Sequence, residues 1–287
     1  MAGYLNKPII NPQQLAYISR QSESPINSTI DPDYYVTSII NNEQRLMSVL
    51  PYLDDDVSRQ VLLLVMLGRL TIDYEWFWKA YSPVENMYFP DFCNYQTDEV
   101  FVDAGAFDGE DTMRFLRRNR YHFKSVYLFE IAPSNVQKIA RTLDELDGMD
   151  IKQRVQFMPC GLWHNKSQLN FSGEGLYAIL TPVQLSGKLA PQQDSFQVTD
   201  LDSAIDTATL IKCEIEGTEM PALEGARGII TKCRPNMAIS AYHLSYDIVN
   251  IIEFIRNLDL GYRFRIRHHW GSDIRTIVYA ATGFSDS

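Results

Sequence analysis

Two textures of hydrophobic and polar positions meet near residue 95 of this chain. Between residues 31 and about 81 the apolar positions recur at helical spacing. Ile39, Ile40, Leu46, Met47 and Leu50 form one stripe, which Pro51 ends. Asp54, Asp55 and Asp56 then place negative charge where a helix start favours it, predicting a helix over 57–70. The Trp76, Phe77, Trp78 cluster is expected to pack this helical part onto the next domain. A linker with Pro83 and Pro90 comes next. From Glu99 onward short apolar runs alternate with helical stretches, the pattern of a βαβ sheet. Strands are predicted over 100–103, 126–130, 155–159, 210–215, 237–242, 262–266 and 276–281. Helices are predicted over 110–118, 133–146, 219–230 and 246–258. Too few residues separate the last two strands for a helical crossover, so they should pair antiparallel.

Two stretches lack strong periodicity. Residues 1 to about 30 are rich in Asn, Gln, Ser and Pro and read as a loosely ordered arm with one short helix near 12–20. Residues 163–208 contain Gly173, Gly175, Pro182, Gly187 and Pro191, which predicts a hairpin and an active-site loop. There is no internal repeat. The expected organisation is an N-terminal arm and helical extension over 1–95 and an α/β domain over 96–287.

Composition narrows the partners. Among 287 residues, 36 are acidic and 26 basic, a net charge of -10 that argues against a general grip on nucleic acid or an anionic membrane. The longest apolar stretch, 61–67, is far short of the roughly 20 residues needed to cross a bilayer. The amino terminus lacks a basic start, an apolar core and a small-residue cleavage site, so a cytoplasmic protein is expected. Cys93, Cys160, Cys213 and Cys233 lie far apart with no CxxC pair, as buried thiols rather than a disulfide or zinc site.

The run EVFVDAGAFDGEDTMRFL (99–116) reads as a strand, a glycine turn and a helix start. Gly105 would let the backbone approach a ligand. Gly109 would tolerate a backbone angle other residues resist, ahead of a partially positive helix N-terminus. Asp103 would point a carboxylate into the crevice where such sheets bind ligands. In SVYLFEIAPSN (125–135), Glu130 ends the second strand, placed to accept hydrogen bonds from both ribose hydroxyls of an adenosine. The glycine spacing is GxxxG rather than GxGxxG, and an acidic Asp103 would face a pyrophosphate unfavourably. A sulfonium cofactor bearing an amino group suits it better than a nicotinamide dinucleotide.

With VFVDAGAFDGEDT, YLFEIAPSN, LIKCEIEGTEMPALEGA, MAISAYH and RIRHHWGSDIRTIVYA, the chain resembles the FkbM family of S-adenosylmethionine-dependent methyltransferases over about 88–281. The resemblance implies a Rossmann-like class I methyltransferase sheet, mostly parallel with an antiparallel last strand. It implies methylation of a hydroxyl on a sugar, glycan or natural product. It maps Asp103, Gly105, Ala106, Gly109 and Thr112 to the cofactor turn and Glu130 to the ribose. Cys160 and Gly161, past the third strand, complete the expected cofactor set. The chain departs from the family pattern at Glu214, commonly an aspartate, and at Arg275, commonly a glutamate.

Methyl transfer to a hydroxyl benefits from a positioned base. His243, at the carboxyl end of the fifth strand, has an ordinary pKa suited to accepting a proton near neutrality. Glu214 and Glu216 follow the fourth strand on one face. These three are the candidate catalytic residues. Glu219 would complement the next helix dipole. No metal is expected, although the paired carboxylates have the chemistry to hold a divalent cation. His268 and His269 read as exposed turn residues, with Trp270, Tyr177 and Trp163 as further candidates for substrate contact. Two alternatives remain: an N-methyltransferase, and a non-catalytic binding or assembly protein docking through residues 1–95, with homo-oligomerisation through the N-terminal helices.

Overall fold

A computed structural model of the chain describes residues 32–172, 179–182 and 195–285. The helix expected near 12–20, and Gly173, Gly175, Tyr177, Gly187 and Pro191, lie outside the described residues. Four helices come first: α1 (Pro32–Asn41), α2 (Glu43–Val49), α3 (Asp56–Thr71) and α4 (Tyr74–Ala80). Pro51 stops the first apolar stripe as expected, within a short 3-10 turn over Leu50–Tyr52. The next helix starts at its cap, Asp55, whose carboxylate accepts the Ser58 N–H at 2.7 Å.

Eleven strands are described: β1 (Val100–Ala104), β2 (Ser125–Phe129), β3 (Val155–Met158), β4 (Gly161–Leu162), β5 (Ser167–Ser172), β6 (Ile179–Pro182), β7 (Ser195–Thr199), β8 (Leu210–Cys213), β9 (Asn236–Ser240), β10 (Arg263–His268) and β11 (Thr276–Ala281). Six further helices alternate with them: α5 (Glu110–Arg118), α6 (Pro133–Leu143), α7 (Leu201–Ala204), α8 (Glu219–Glu224), α9 (Arg227–Cys233) and α10 (Asp247–Arg256). Seven strands form one sheet in the order β10-β11-β9-β8-β1-β2-β3. All pairings are parallel except those of β11, which runs antiparallel to both β9 and β10. The last strand thus inserts beside β9 and leaves β10 at the edge. β1, β8 and β11 are buried at every position, as expected for strands covered on both faces.

The stretch 163–208 holds more order than a hairpin and a loop. Its described parts supply β5, β6, β7 and the short α7, and these strands join β4, just before it, in a second sheet of order β4-β7-β5-β6. The helix predicted over 219–230 is two helices. A Cβ at Gly225 would stand 2.0 Å from the Trp163 carbonyl oxygen, so only glycine fits where the two helices meet. Asp202 then caps the new start by accepting the Gly228 and Ile229 N–H groups, both at 2.7 Å.

The N-terminal helices close the open edge of the sheet, where an unpaired β10 would otherwise invite other chains. The Asp54 N–H donates to the Phe264 carbonyl at 2.7 Å, the Ile266 N–H to Ser58 Oγ at 2.8 Å, and the Ser82 N–H to the His268 carbonyl at 2.7 Å. Ion pairs reinforce this seam: Arg265 with Asp54 at 2.9 Å and Arg267 with Asp55 at 2.6 Å. Val61, Val65 and Phe77 join Phe264, Ile266 and the α10 isoleucines in one apolar cluster. Met87, Tyr88 and Phe89 join Phe101 and Phe115 in another. Of the three residues expected to dock the helices, Phe77 does so, against Gly68 and the His268 ring. Trp76 is half-buried, and Trp78 is 62% exposed.

Candidate active site

Chain order reverses between β1 and β8, and in open α/β sheets the crevice outside the carboxyl ends of such strands binds ligands. The glycine turn stands there as predicted, with φ +79° at Gly105 and +82° at Gly109. Gly105 also meets a second demand. A Cβ on it would meet the Glu214 carbonyl oxygen at 1.8 Å, so a glycine there admits the chain after β8. The Gly105 and Ala106 N–H groups both donate to the Phe129 carbonyl, at 2.9 and 3.0 Å, which ties the turn to the end of β2.

Asp103 does not present its carboxylate to the crevice. It is 0% exposed and accepts the Thr112 hydroxyl at 2.7 Å, while Lys212 Nζ stands 3.0 Å from its other oxygen. Lys212, buried in the central strand β8, also donates to the Gly105 carbonyl at 2.7 Å. Burial opposes the lysine's charge, but Asp103, Asp111 and Glu214 more than offset this and raise its pKa. Asp111 is pushed up to about 6 by burial, with Lys212 opposing. Lys212 is a residue that reading the sequence missed. Its signal was a lone cation inside the apolar run LIKC, which burial forces to find a partner.

Glu130 is placed as predicted, at the tip of β2. Its Oε2 accepts the Phe107 N–H at 2.9 Å, and its Oε1 accepts the Ile131 and Ala132 N–H groups, each at 2.7 Å. Three backbone donors hold this carboxyl group between the glycine turn and the start of α6. Cys160 and Gly161 follow β3 on the same side of the sheet, and the Gly161 backbone packs on Ile131 and Val198.

The catalytic candidates gather at the ends of β8 and β9. Glu214 is clamped: the Tyr88 hydroxyl donates to Oε2 and the Tyr242 hydroxyl to Oε1. Burial would raise its pKa, but Lys212 and the two phenols hold it below the ordinary carboxylate range. The longer side chain at 214 is what reaches both phenols. Glu216 takes a left-handed backbone, φ +56°, before Gly217 at +91°. Such a conformation in a non-glycine residue is costly and gathers at functional sites. His243 Nε2 stands 3.3 Å from Glu216 Oε2, and Nδ1 stands 3.0 Å from Glu219 Oε1. Burial lowers the imidazole pKa, but Glu219 and Glu216 outweigh it and carry it to about 10. His243 thus bridges two carboxylates, Glu216 and Glu219. Glu219 is not merely a helix-dipole residue, since it is buried and faces this imidazole. Asp247, also missed, opens α10 beside them. Burial and Glu219 push it up to about 7, against the Leu244 N–H, His243 and Arg69.

The remaining candidates lie elsewhere. His268 and His269 are buried, not exposed. The first contacts Thr276 Oγ1 at 2.9 Å; the second faces the Pro83 carbonyl and the Tyr279 hydroxyl, each at 2.9 Å. Burial lowers both to about 4. Trp270 stays partly exposed with Arg275 stacked on it at 4.6 Å, which uses the second departure from the family pattern. The backbone of Trp163 packs at Gly225, between α8 and α9. A cavity of about 280 Å³ lined by Asn94, Gln96, Thr209 and Asn236 lies at the amino ends of β8 and β9, away from these groups. The four cysteines form no disulfide.

Residues 103–264 match the family of the methyltransferase FkbM domain. The chain belongs to the FkbM methyltransferase family. A solved FkbM methyltransferase from Methylobacillus flagellatus KT is similar at TM-score 0.75 and 27% identity, over 86% of this chain and 60% of that one. This FkbM-family chain therefore spans about 60% of that structure's length. Two other solved structures are more distant. Precorrin-6y C5,15-methyltransferase from Geobacter metallireducens GS-15 gives TM-score 0.42 and 10% identity, over 69% of this chain and 85% of that one. Aeropyrum pernix fibrillarin with natively bound S-adenosyl-L-methionine gives 0.37 and 9%, over 71% and 76%. No curated protein matches the chain. The FkbM-family sheet is the class I methyltransferase arrangement, mostly parallel with its last strand antiparallel. Among the described residues no helix is long and apolar enough to cross a membrane.

Proposed function

We propose that this chain transfers the methyl group of S-adenosylmethionine to a hydroxyl of a sugar, glycan or natural-product acceptor. The observation that carries it is the acidic cluster Glu214, Glu216 and Glu219 around His243, placed at the ends of β8 and β9 beside the glycine turn. The donor set suits the adenosine half of the cofactor. Backbone N–H groups take three of the four lone-pair sites of Glu130, which leaves one on Oε2 for a ribose hydroxyl. Cys160 and Gly161 would border the adenine, and the 105–109 turn the amino-acid end. Asp103 does not suit the cofactor's amino group, because Lys212 and Thr112 already hold it; its part is to fix the turn.

When bound, the cofactor supplies an electrophilic methyl carbon that an acceptor oxygen displaces in line. The chain's residues handle the acceptor's proton. Glu216 is the base, because its side chain is 35% exposed towards solvent while Glu214 is locked by two phenols. The His243 imidazole positions Glu216 from 3.3 Å. Glu216→Gln should lower kcat about 10²–10⁴-fold and leave S-adenosylhomocysteine affinity unchanged. Glu130→Ala should instead abolish calorimetric binding of that product. A purified chain that shows no heat with either S-adenosylmethionine or S-adenosylhomocysteine would end the proposal. An amine acceptor would be indicated if Glu216→Gln methylated at the wild-type rate.

One observation favours the docking alternative. Trp78, Tyr81 and Trp270 are all exposed, and Trp78 lies against Gly271 in the hairpin that carries Trp270. Replacing Trp78 and Tyr81 by serine should change the sedimentation of the chain if this face assembles copies of it. Unchanged sedimentation with full methylation would leave the enzyme reading alone.

A further inference from the structure

Glu219, His243 and Asp247 converge from three separate segments, the starts of α8 and α10 and the turn after β9. One ligand atom from each lies within 4.8 Å of the other two. Glu219 and Asp247 are each 1% exposed, so this is not a solvated acidic surface. Backbone donors fix both carboxylates. The Ile215 N–H donates to Glu219 Oε1 at 3.0 Å, and the Leu244 N–H to Asp247 Oδ2 at 2.6 Å. Ligating carboxylates are typically held by such outer hydrogen bonds.

A second observation concerns what these groups leave unmade. Among the described residues, Glu219 Oε2, Glu216 Oε2 and both His243 ring nitrogens are buried without a hydrogen-bond partner. The imidazole nitrogens stand 3.0 and 3.3 Å from carboxylate oxygens, yet without the alignment of a hydrogen bond. Adjacent ligand atoms around a small divalent cation, at about 2.1 Å each, lie about 3 Å apart and point at the ion rather than at each other. One imidazole nitrogen and one oxygen each from Glu219 and Asp247 lie close enough to share such a centre, and the buried Glu219 Oε2 has no other partner.

We propose that Glu219, His243 and Asp247 bind one first-row divalent cation through one ring nitrogen of His243, with Glu216 beside the other. Two carboxylates and one imidazole suit Mn²⁺, Fe²⁺ or Zn²⁺. An all-oxygen shell would suit Mg²⁺ or Ca²⁺ better, and thiolates would suit softer ions. The site departs from the metal-free centre expected on the sequence. Its position at the ends of β8 and β9 would let the cation orient acceptor hydroxyls, a role that rests on the methyl-transfer reading; the binding itself does not.

The test is metal content, independent of turnover. The full chain, stripped with a chelator, is dialysed separately against Mn²⁺ and Zn²⁺, and bound metal is counted by elemental analysis. Mn²⁺ binding is also followed by its electron paramagnetic resonance signal. One equivalent per chain is expected. Glu219→Gln and Asp247→Asn should each weaken binding by at least ~10-fold, while Glu224→Gln, exposed at the other end of α8, should bind as wild type. Near-ultraviolet circular dichroism confirms that each variant is folded. Should a buried carboxylate variant fail to fold, His243→Asn carries the same expectation. No metal retained by the wild-type chain, or full retention by the folded ligand variants, overturns the proposal and leaves an ion-pair cluster only.

Discussion

Lys212 shows how one buried charge organises this site. It joins Asp103, the Gly105 carbonyl and, at 3.7 Å, Asp111, so three parts of the glycine turn and its helix hang on one ammonium. Removing one partner of a buried ion pair costs about 3–5 kcal/mol, because the other charge stays buried and unpaired. Lys212→Ala should lose about that much stability in urea denaturation. Adding Asp103→Asn to it should recover part of the loss, since the two residues are coupled. Additive losses would show that the two charges do not act as a unit. Gly105→Ala tests the neighbouring contact. The new Cβ would overlap the Glu214 carbonyl and sit at positive φ, and a loss of about 3 kcal/mol or more is expected. A wild-type melting temperature would mean that the backbone there has room after all. At this scale the sequence was legible in identity and less so in role. Asp103 and Glu130 occupy their predicted strand ends, yet only Glu130 keeps a carboxylate facing the crevice side. A strand pattern shows which face a side chain occupies, not which partner has already claimed it.

Elements were legible where their signals are local. α5 and β11 have the predicted boundaries, because capping charge and alternation lie within the segments themselves. The close approach at Gly225 was not legible, since the Trp163 carbonyl that packs there arrives from about sixty residues away. Asp55 sits between these cases. Its capping role was readable beside the helix, whereas its ion pair with Arg267 needed the fold. Burial would raise the Asp55 pKa, but Arg267 and the Ser58 hydroxyl and N–H bring it to about 2, below its ordinary 3.8. A depressed folded pKa gives stability that is present above pH 3.8 and lost as pH falls towards 2. Partial exposure screens the pair, so Asp55→Asn, which keeps the cap, should cost only about 1 kcal/mol at neutral pH. Asp55→Ala should cost about 2 kcal/mol, as cap and ion pair are both lost. Equal losses in the two variants would show that the cap contributes nothing.

Across the whole molecule, the helices before residue 82 and the β10–β11 hairpin are held together partly by two histidines. His269 links the Ser82–Pro83 backbone to Tyr279, and His268 lies between Thr276 and the Phe77 ring. Both are neutral in the fold, with pKa values lowered by burial to about 4 from 6.5. In the unfolded chain they would take up protons first. Stability should therefore be complete above pH 6.5 and fall as pH drops from 6.5 towards 4, by on the order of a few kcal/mol. The melting temperature over that window checks it, and a His268→Gln/His269→Gln variant should show a flatter slope. A wild-type profile flat from pH 7 to 4 would contradict the buried neutral pair.

What the sequence determined by itself is the class of sheet, the glycine turn with its acidic strand ends, and the family. These depend on short-range order: apolar alternation, helix caps and motif spacing act between residues a few positions apart. Only the tertiary structure decided that Asp103 is spent on Lys212, that Glu214 is locked by Tyr88 and Tyr242, and that His243 lies between Glu216 and Glu219. It also decided that Asp247 completes their cluster. Each of those outcomes is set by burial and by charges brought within about 4 Å from distant segments. Electrostatic interaction in a low-dielectric interior depends on that separation in space and not on separation along the chain.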